Sequence, residues 1–230
     1  MTEDIAKPRR AVRSFVVRGG RITAAQQRAL SQLWPRFGVE PGDGPLDPSA
    51  MFGRFAPCTV EIGFGNGSHL AARAAAEPEH NFIGIEVHPP GVGSLLLAAA
   101  AAGLGNLRVM QGDAVEVLQR LPESSLDQVQ ILFPDPWPKT RHHKRRLIQP
   151  AFIQLLATRL RPGGALHLAT DWQPYAEHMT EVLRGCALLA NSAGEDVYIK
   201  RPSYRAATRF ETRGLRLGHA VRDLLWKRID

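Results

Sequence analysis

The chain has 230 residues, 44% of them hydrophobic, enough to bury a full core, and that length fits one large α/β domain with extensions better than two independent ones. No stretch of about 18 apolar residues free of charge occurs, and the start "MTEDIAKPRRAVRSF" lacks an apolar centre, so neither a membrane span nor a secretory signal is expected. The net charge is +7, and the two cysteines, Cys58 and Cys186, form no CxxC, which points to a cytoplasmic protein with reduced thiols.

Taken in chain order, a Pro- and Gly-rich stretch, "GVEPGDGPLDPSAMFGRFAP", reads as a linker or loop before the first strand. "CTVEI" is a short buried strand, Cys58 to Ile62, running into a glycine turn, and "SHLAARAAAE" is the helix that follows. "NFIGIEV" is the second strand, with an Ala/Leu helix around Ser94 to Ala102 closed by Gly103. "NLRVMQGD" is the third strand, "AVEVLQRL" a helix, and "LDQVQILF" the fourth strand. A helix from about Pro150 to Leu160 ends at Arg161-Pro162-Gly163-Gly164, and the strand "ALHLATD" and the helix "YAEHMTEVLRG" come next. The tail after Gly194 is irregular. Strands alternating with helices at this spacing specify a doubly wound, mostly parallel α/β sheet. Its ligands bind outside the carboxyl ends of the strands.

Acids gather at those ends. Glu61 precedes Gly63, Gly65 and Gly67 in the first turn, Glu86 ends the second strand, Asp113 the third and Asp135 the fourth. Glycines let backbone N–H groups and a helix N-terminus approach a nucleotide-like ligand, and an acid after the second strand is placed to accept from ribose hydroxyls. A dinucleotide fingerprint would need Gly or Ala where Ser68 stands, and four carboxylates would repel a pyrophosphate. S-adenosylmethionine carries two cations and no phosphate, so charge complementarity favours a methyl donor over a dinucleotide.

The basic residues lie elsewhere. Residues 37–138 hold 4 basic and 12 acidic residues, which leaves +15 on the flanks, in clusters from Lys7 to Arg36, Lys139 to Arg146 and Lys200 to Arg216. Such clusters are either solvated surface or the footprint of a polyanion, and their arrangement favours nucleic acid. The middle cluster directly follows "FPDPWP", in which two prolines fix the backbone around Asp135. Trp137 either stacks on a base or packs internally. His142 and His143 are adjacent and lack the spacing of a zinc pair, so no metal site is expected.

The runs "RSFVVRGGRITAAQQRAL", "VEIGFGNGSHL", "FIGIEVHPPGVG", "GDAVEVL", "LFPDPWPKTRHHKRRLIQPAF", "ATDWQPYAEHM", "TRFETRGLRLGH" and "VRDL" resemble those of the bacterial tRNA (guanine-46-N7)-methyltransferases over nearly the whole chain. The resemblance implies a Rossmann-like class I methyltransferase that moves a methyl group from S-adenosylmethionine to guanine N7 in the variable loop of tRNA. It implies donor contacts at Glu61, Gly63, Gly65, Gly67, Glu86, Asp113 and Asp135, with Asp135 also catalytic. Substrate contacts then fall on Lys139, Asp171, Thr208, Arg209, Phe210 and Glu211. Arg141, His142, His143, Lys144, Arg145 and Arg146 form an RNA-interacting run. One methyltransferase domain follows: a basic extension and linker over 1–55, a donor-binding core over 56–193, and a substrate-binding tail with a last strand over 194–230. The expected state is a monomer or homodimer in the cytoplasm. Two other readings fit the residues: a methyltransferase of another base or of protein, against which the order Asp135-Pro136-Trp137-Pro138 speaks, and a non-catalytic RNA-binding protein using the basic flanks alone.

Overall fold

Strands β1 (Cys58–Ile62) and β2 (Asn81–Glu86) are buried along their whole length, as parallel strands covered on both faces must be. The computed structural model describes residues 14–15, 20–40, 42–194, 197–205, 211 and 220–230. Strands β3 (Leu107–Gln111), β4 (Leu126–Leu132) and β5 (Leu160–Thr170) complete five parallel strands, and β6 (Leu189–Asn191) and β7 (Arg222–Arg228) add an antiparallel end. The order is β3-β2-β1-β4-β5-β7-β6. The chain therefore winds outward from β1 in one direction through β3 and returns to β1's other side at β4. This reversal opens a crevice at the carboxyl ends of β1 and β4. The expectation of a doubly wound, mostly parallel α/β sheet is met.

Helices cover both faces. On one side lie α1 (Ala24–Gln32), α2 (Trp34–Phe37), α4 (Ser68–Ala76) and α5 (Pro89–Ala101), whose Leu70, Leu95 and Leu96 are fully buried with Phe82. Each such leucine contributes about 1.5–3 kcal/mol of transfer free energy. On the other side lie α6 (Ala114–Arg120), α7 (Pro150–Arg159) and α8 (Gln173–Arg184), packed on Val60, Ile62, Val129 and Leu168.

Three stretches differ from the sequence expectation. Helix α5 starts at Pro89 rather than near Ser94, because prolines suit the first helical turn, where their missing N–H is no loss. Its glycines serve close packing: a Cβ on Gly91 would lie 2.2 Å from the carbonyl oxygen of Gly65, and one on Gly93 would lie 2.8 Å from Cβ of Gln26 in α1. Gln26 Nε2 also donates to Ser94 Oγ at 2.9 Å, while a capping box with Thr23 starts α1. The Pro/Gly stretch before β1 is not a bare linker either. It holds α3 (Pro48–Phe52), capped by Asp47, whose Oδ1 accepts from the Ser49 N–H at 2.9 Å, and it buries Leu46. Finally, Arg161 to Gly164 belong to β5 as an irregular entry. The register jumps from Leu126↔Leu160 to Gln128↔Ala165 there.

Candidate active site

Two cavities meet at the crevice. The first is lined by Gly63, Glu86, Asp113 and Asp135 with Ile62, Ile85, Ile131 and Phe133, and no Lys or Arg lines it among the described residues. Glu86 braces it: Oε1 accepts from the N–H groups of Val87 at 2.7 Å and His88 at 3.1 Å, and Oε2 accepts from Gly65 N–H at 3.0 Å. The end of β2 is thereby tied to the glycine turn, which runs through left-handed φ at Gly63, Gly65 and Gly67. Oε2 keeps one lone pair for a ligand. Asp113 caps α6, Oδ1 accepting from Val115 N–H at 2.9 Å, which leaves Oδ2 without a partner among the described residues. An acid-walled, cation-free cavity fits a cationic methyl donor with a ribose and repels a pyrophosphate.

The second cavity lies beyond Asp135, lined by Pro136, Trp137, Pro138, Lys139, His88 and His142. Trp137 takes a positive φ of 44°, donates Nε1–H to the Ser14 carbonyl at 3.3 Å, and carries the Arg145 guanidinium 4.9 Å from its ring centre. His142 meets it edge-on at 5.7 Å. Burial and the surrounding Arg141, Arg145, Lys139 and Lys144 all push the His142 pKa below its usual value. The carboxylate of Asp135 is exposed and belongs to both cavities.

Comparison with known proteins decides the family. Residues 55–224 match a family described as "Putative methyltransferase". A tRNA (guanine-N(7)-)-methyltransferase of Chromohalobacter salexigens is 54% identical over 99% of this chain and 94% of its own. One from Methylococcus capsulatus is 55% identical over 97% of this chain and 96% of its own. The chain belongs to the bacterial tRNA (guanine-N7)-methyltransferase family. Among solved structures, the 16S rRNA methyltransferase KamB superposes with a TM-score of 0.54 over 93% of this chain and 99% of that one at 17% identity, which speaks for the fold.

The expected site residues take different surroundings in the structure. Glu61 does not line the first cavity: it is 3% exposed, points to the face covered by α4, and its Oε2 accepts from His69 Nδ1 at 2.8 Å. Strand alternation is the reason, since Val60 and Ile62 take the opposite face. Gly65 and Gly67 shape the turn without lining the cavity. Lys139 lines the second cavity, whereas Asp171, just past β5, lines neither. Arg141 and Lys144 are exposed. His143 is half-buried and within 3.1 Å of Arg146. Arg146, the last residue of the expected RNA-interacting run, has a different setting from Arg141 and Lys144. It is 3% exposed, its Nε donates to the Pro136 carbonyl at 3.0 Å, and its guanidinium lies 4.9 Å over Tyr175. Burial pulls its pKa down.

Thr208, Arg209 and Phe210 lie outside the described residues. Glu211 is buried: Arg205, 1% exposed, donates to both its oxygens at 2.6 and 3.0 Å and clamps Asp223 at 2.6 and 2.9 Å. His167 Nε2–H donates to Asp223 at 2.8 Å, and its Nδ1 accepts from the Tyr204 hydroxyl at 3.2 Å. Burial alone would raise the Asp223 carboxyl, but the bonds from His167 and Arg205 outweigh it and hold the pKa low. Arg205 also lies 5.6 Å over Phe133, so this network abuts the strand end that delivers Asp135. The sequence reading missed it, because neither "SYRAA" nor a lone His in β5 carries a local signal of partners distant in the chain.

Proposed function

We propose that the chain transfers a methyl group from S-adenosylmethionine to N7 of a guanine in tRNA, and that the guanine is number 46 of the variable loop. The observation that carries this reading is Asp135: one exposed carboxylate shared by an acid-walled cavity at the switch point and by a cavity walled with Trp137, Lys139 and His142. The activity for which the relatives are named supports the atom and the substrate class.

Glu86 and Asp113 would hold the ribose and adenine ends of the donor through their remaining lone pairs, and Asp135 its cationic end. The donor supplies an electrophilic methyl carbon on a sulfonium. Guanine N7 brings its own lone pair, so no residue has to remove a proton before attack; the carbon–sulfur bond breaks as the carbon–nitrogen bond forms, and the positive charge passes to the purine. What the residues must provide is alignment. Asp135 is acceptor-only and offers a site for the guanine N1–H or amino group, and its fixed charge favours the cation that appears on the base. Arg146 holds the loop in place through Pro136. Lys139, Arg141 and Lys144 are free to meet phosphates beside the target. This reading takes residues 1–230 as one cytoplasmic methyltransferase domain, supported by the packing of α1 on α5.

The test is incubation with labelled S-adenosylmethionine and unmodified tRNA, followed by nucleoside analysis. Label in 7-methylguanosine is expected. Label in another nucleoside, or none, removes the proposal.

A further inference from the structure

Asp135 and His88 are the two residues shared by both cavities. A methyl group that moves from the donor cavity to a base under Trp137 crosses the border these two residues make. Asp135 already has a role at that border. His88 is its second residue, and no part of the mechanism above uses it.

Its backbone is held from two directions. The His88 N–H donates to Glu86 Oε1 at 3.1 Å, and its carbonyl accepts from Gly91 at 3.0 Å and Val92 at 3.2 Å as α5 begins. The imidazole is half-buried, and its ring nitrogens have no hydrogen-bond partner among the described residues. A polar ring fixed at its root and unsatisfied at its tip is a ready contact for a ligand. The guanine edge that must face the border carries two acceptors, N7 and O6. N7 receives the methyl group. O6, beside it, needs a donor. Asp135 as a carboxylate can only accept, whereas a neutral imidazole always carries one N–H.

We propose that His88 donates a ring N–H to guanine O6 and so holds N7 toward the donor cavity. This rests on the guanine-N7 reading, and it adds a substrate-contacting residue at the reacting edge. Its loss should lower kcat through misalignment more than it raises KM.

The experiment is a double-mutant cycle on substrate and enzyme. Transcripts of tRNA carry either guanosine or 6-thioguanosine at the methylated position; sulfur is a poor acceptor, while N1–H, the amino group and N7 are kept. Wild type is expected to lose about tenfold in kcat/KM on the thio substrate, the worth of one hydrogen bond. His88→Ala should lose about tenfold on guanosine and nothing further on 6-thioguanosine, and His88→Asn, which keeps a donor, should recover part of the loss. Binding of S-adenosylhomocysteine by calorimetry should weaken in both variants by less than kcat/KM falls, which separates this role from donor binding. Losses that multiply, a wild type indifferent to sulfur, or His88→Ala at full rate on guanosine would each overturn it. Should His88→Ala fail to fold, the His88→Asn arm decides: a retained sulfur penalty supports the contact, and loss of that penalty with turnover intact refutes it. A wild type that methylates no tRNA guanine overturns both this inference and the reading beneath it, and shows before any variant is made.

Discussion

The guanidinium of Arg146 donates to the carbonyl of Pro136 at 3.0 Å and stacks over Tyr175, so the last residue of a basic run braces the turn that presents Asp135. Its neighbour Lys144 is exposed. Two cations only two positions apart thus have different work, and substitutions should separate them. Arg146→Ala is expected to destabilise the fold by about 1.5–3 kcal/mol, the loss of a charged hydrogen bond in a buried place, and to leave the salt dependence of tRNA binding unchanged. Arg141→Ala with Lys144→Ala should do the reverse: unfolding midpoints near wild type, with the slope of log affinity against log salt reduced by about 2. Denaturant melts and filter binding at several salt concentrations check both halves.

Asp135 is exposed and its carboxylate bonds no described residue. Asp135→Asn keeps the shape and removes the charge. Turnover should fall by more than about tenfold, at least 1.4 kcal/mol of barrier, with the unfolding midpoint moved by less than about 0.5 kcal/mol. Retained turnover would take Asp135 out of the mechanism.

Arg205 is the most buried cation among the described residues and satisfies Glu211 and Asp223 at once. Removing the guanidinium takes two charge-assisted hydrogen bonds from each of two buried carboxylates. Arg205→Met is expected to cost about 3–5 kcal/mol in chemical denaturation, more than any surface arginine. A loss under about 1 kcal/mol would mean that the clamp is solvated in solution.

The same network makes stability depend on pH. Burial favours the neutral form of His167 and outweighs the pull of Asp223, so its pKa lies below the usual 6.5. As pH falls through 6.5 the unfolded chain takes up the proton first, and the stability present above that pH is lost progressively below it. Asp223, held below its usual 3.8, adds a second loss further into acid. Urea midpoints measured from pH 8 to pH 5 should drop, and His167→Gln should flatten the drop. A wild-type midpoint flat over that range would contradict the assignment.

Gly91 sits where a Cβ would come within 2.2 Å of the Gly65 carbonyl oxygen. Gly91→Ala should push the glycine turn away from α5 and weaken S-adenosylhomocysteine binding by about tenfold, a loss of the order that overpacking causes. Calorimetric titration reads this directly.

Much of this architecture was legible in order of sequence. The strands from Cys58, Asn81, Leu107 and Leu126 begin and end close to where apolar runs meet Gly, Pro or acid, because those signals act over a few residues. Where the reading slipped, a local signal served a distant contact. The helix expected around Ser94 already starts with "PPGVG", the first turn of α5, made of small residues so that Gly65 and Gln26 can approach.

By itself, the sequence determined the parallel sheet, the acids at its carboxyl edge, the basic flanks and, through resemblance, the family. Only the tertiary structure decided which of those side chains line the two cavities. It turned Glu61 inward to His69, closed Arg205 on Glu211, buried Arg146 beside exposed Lys144, and brought His88 to the border it shares with Asp135. The physical reason is that strand and helix periods follow from neighbours in the chain, whereas burial and partnership depend on segments brought together by folding.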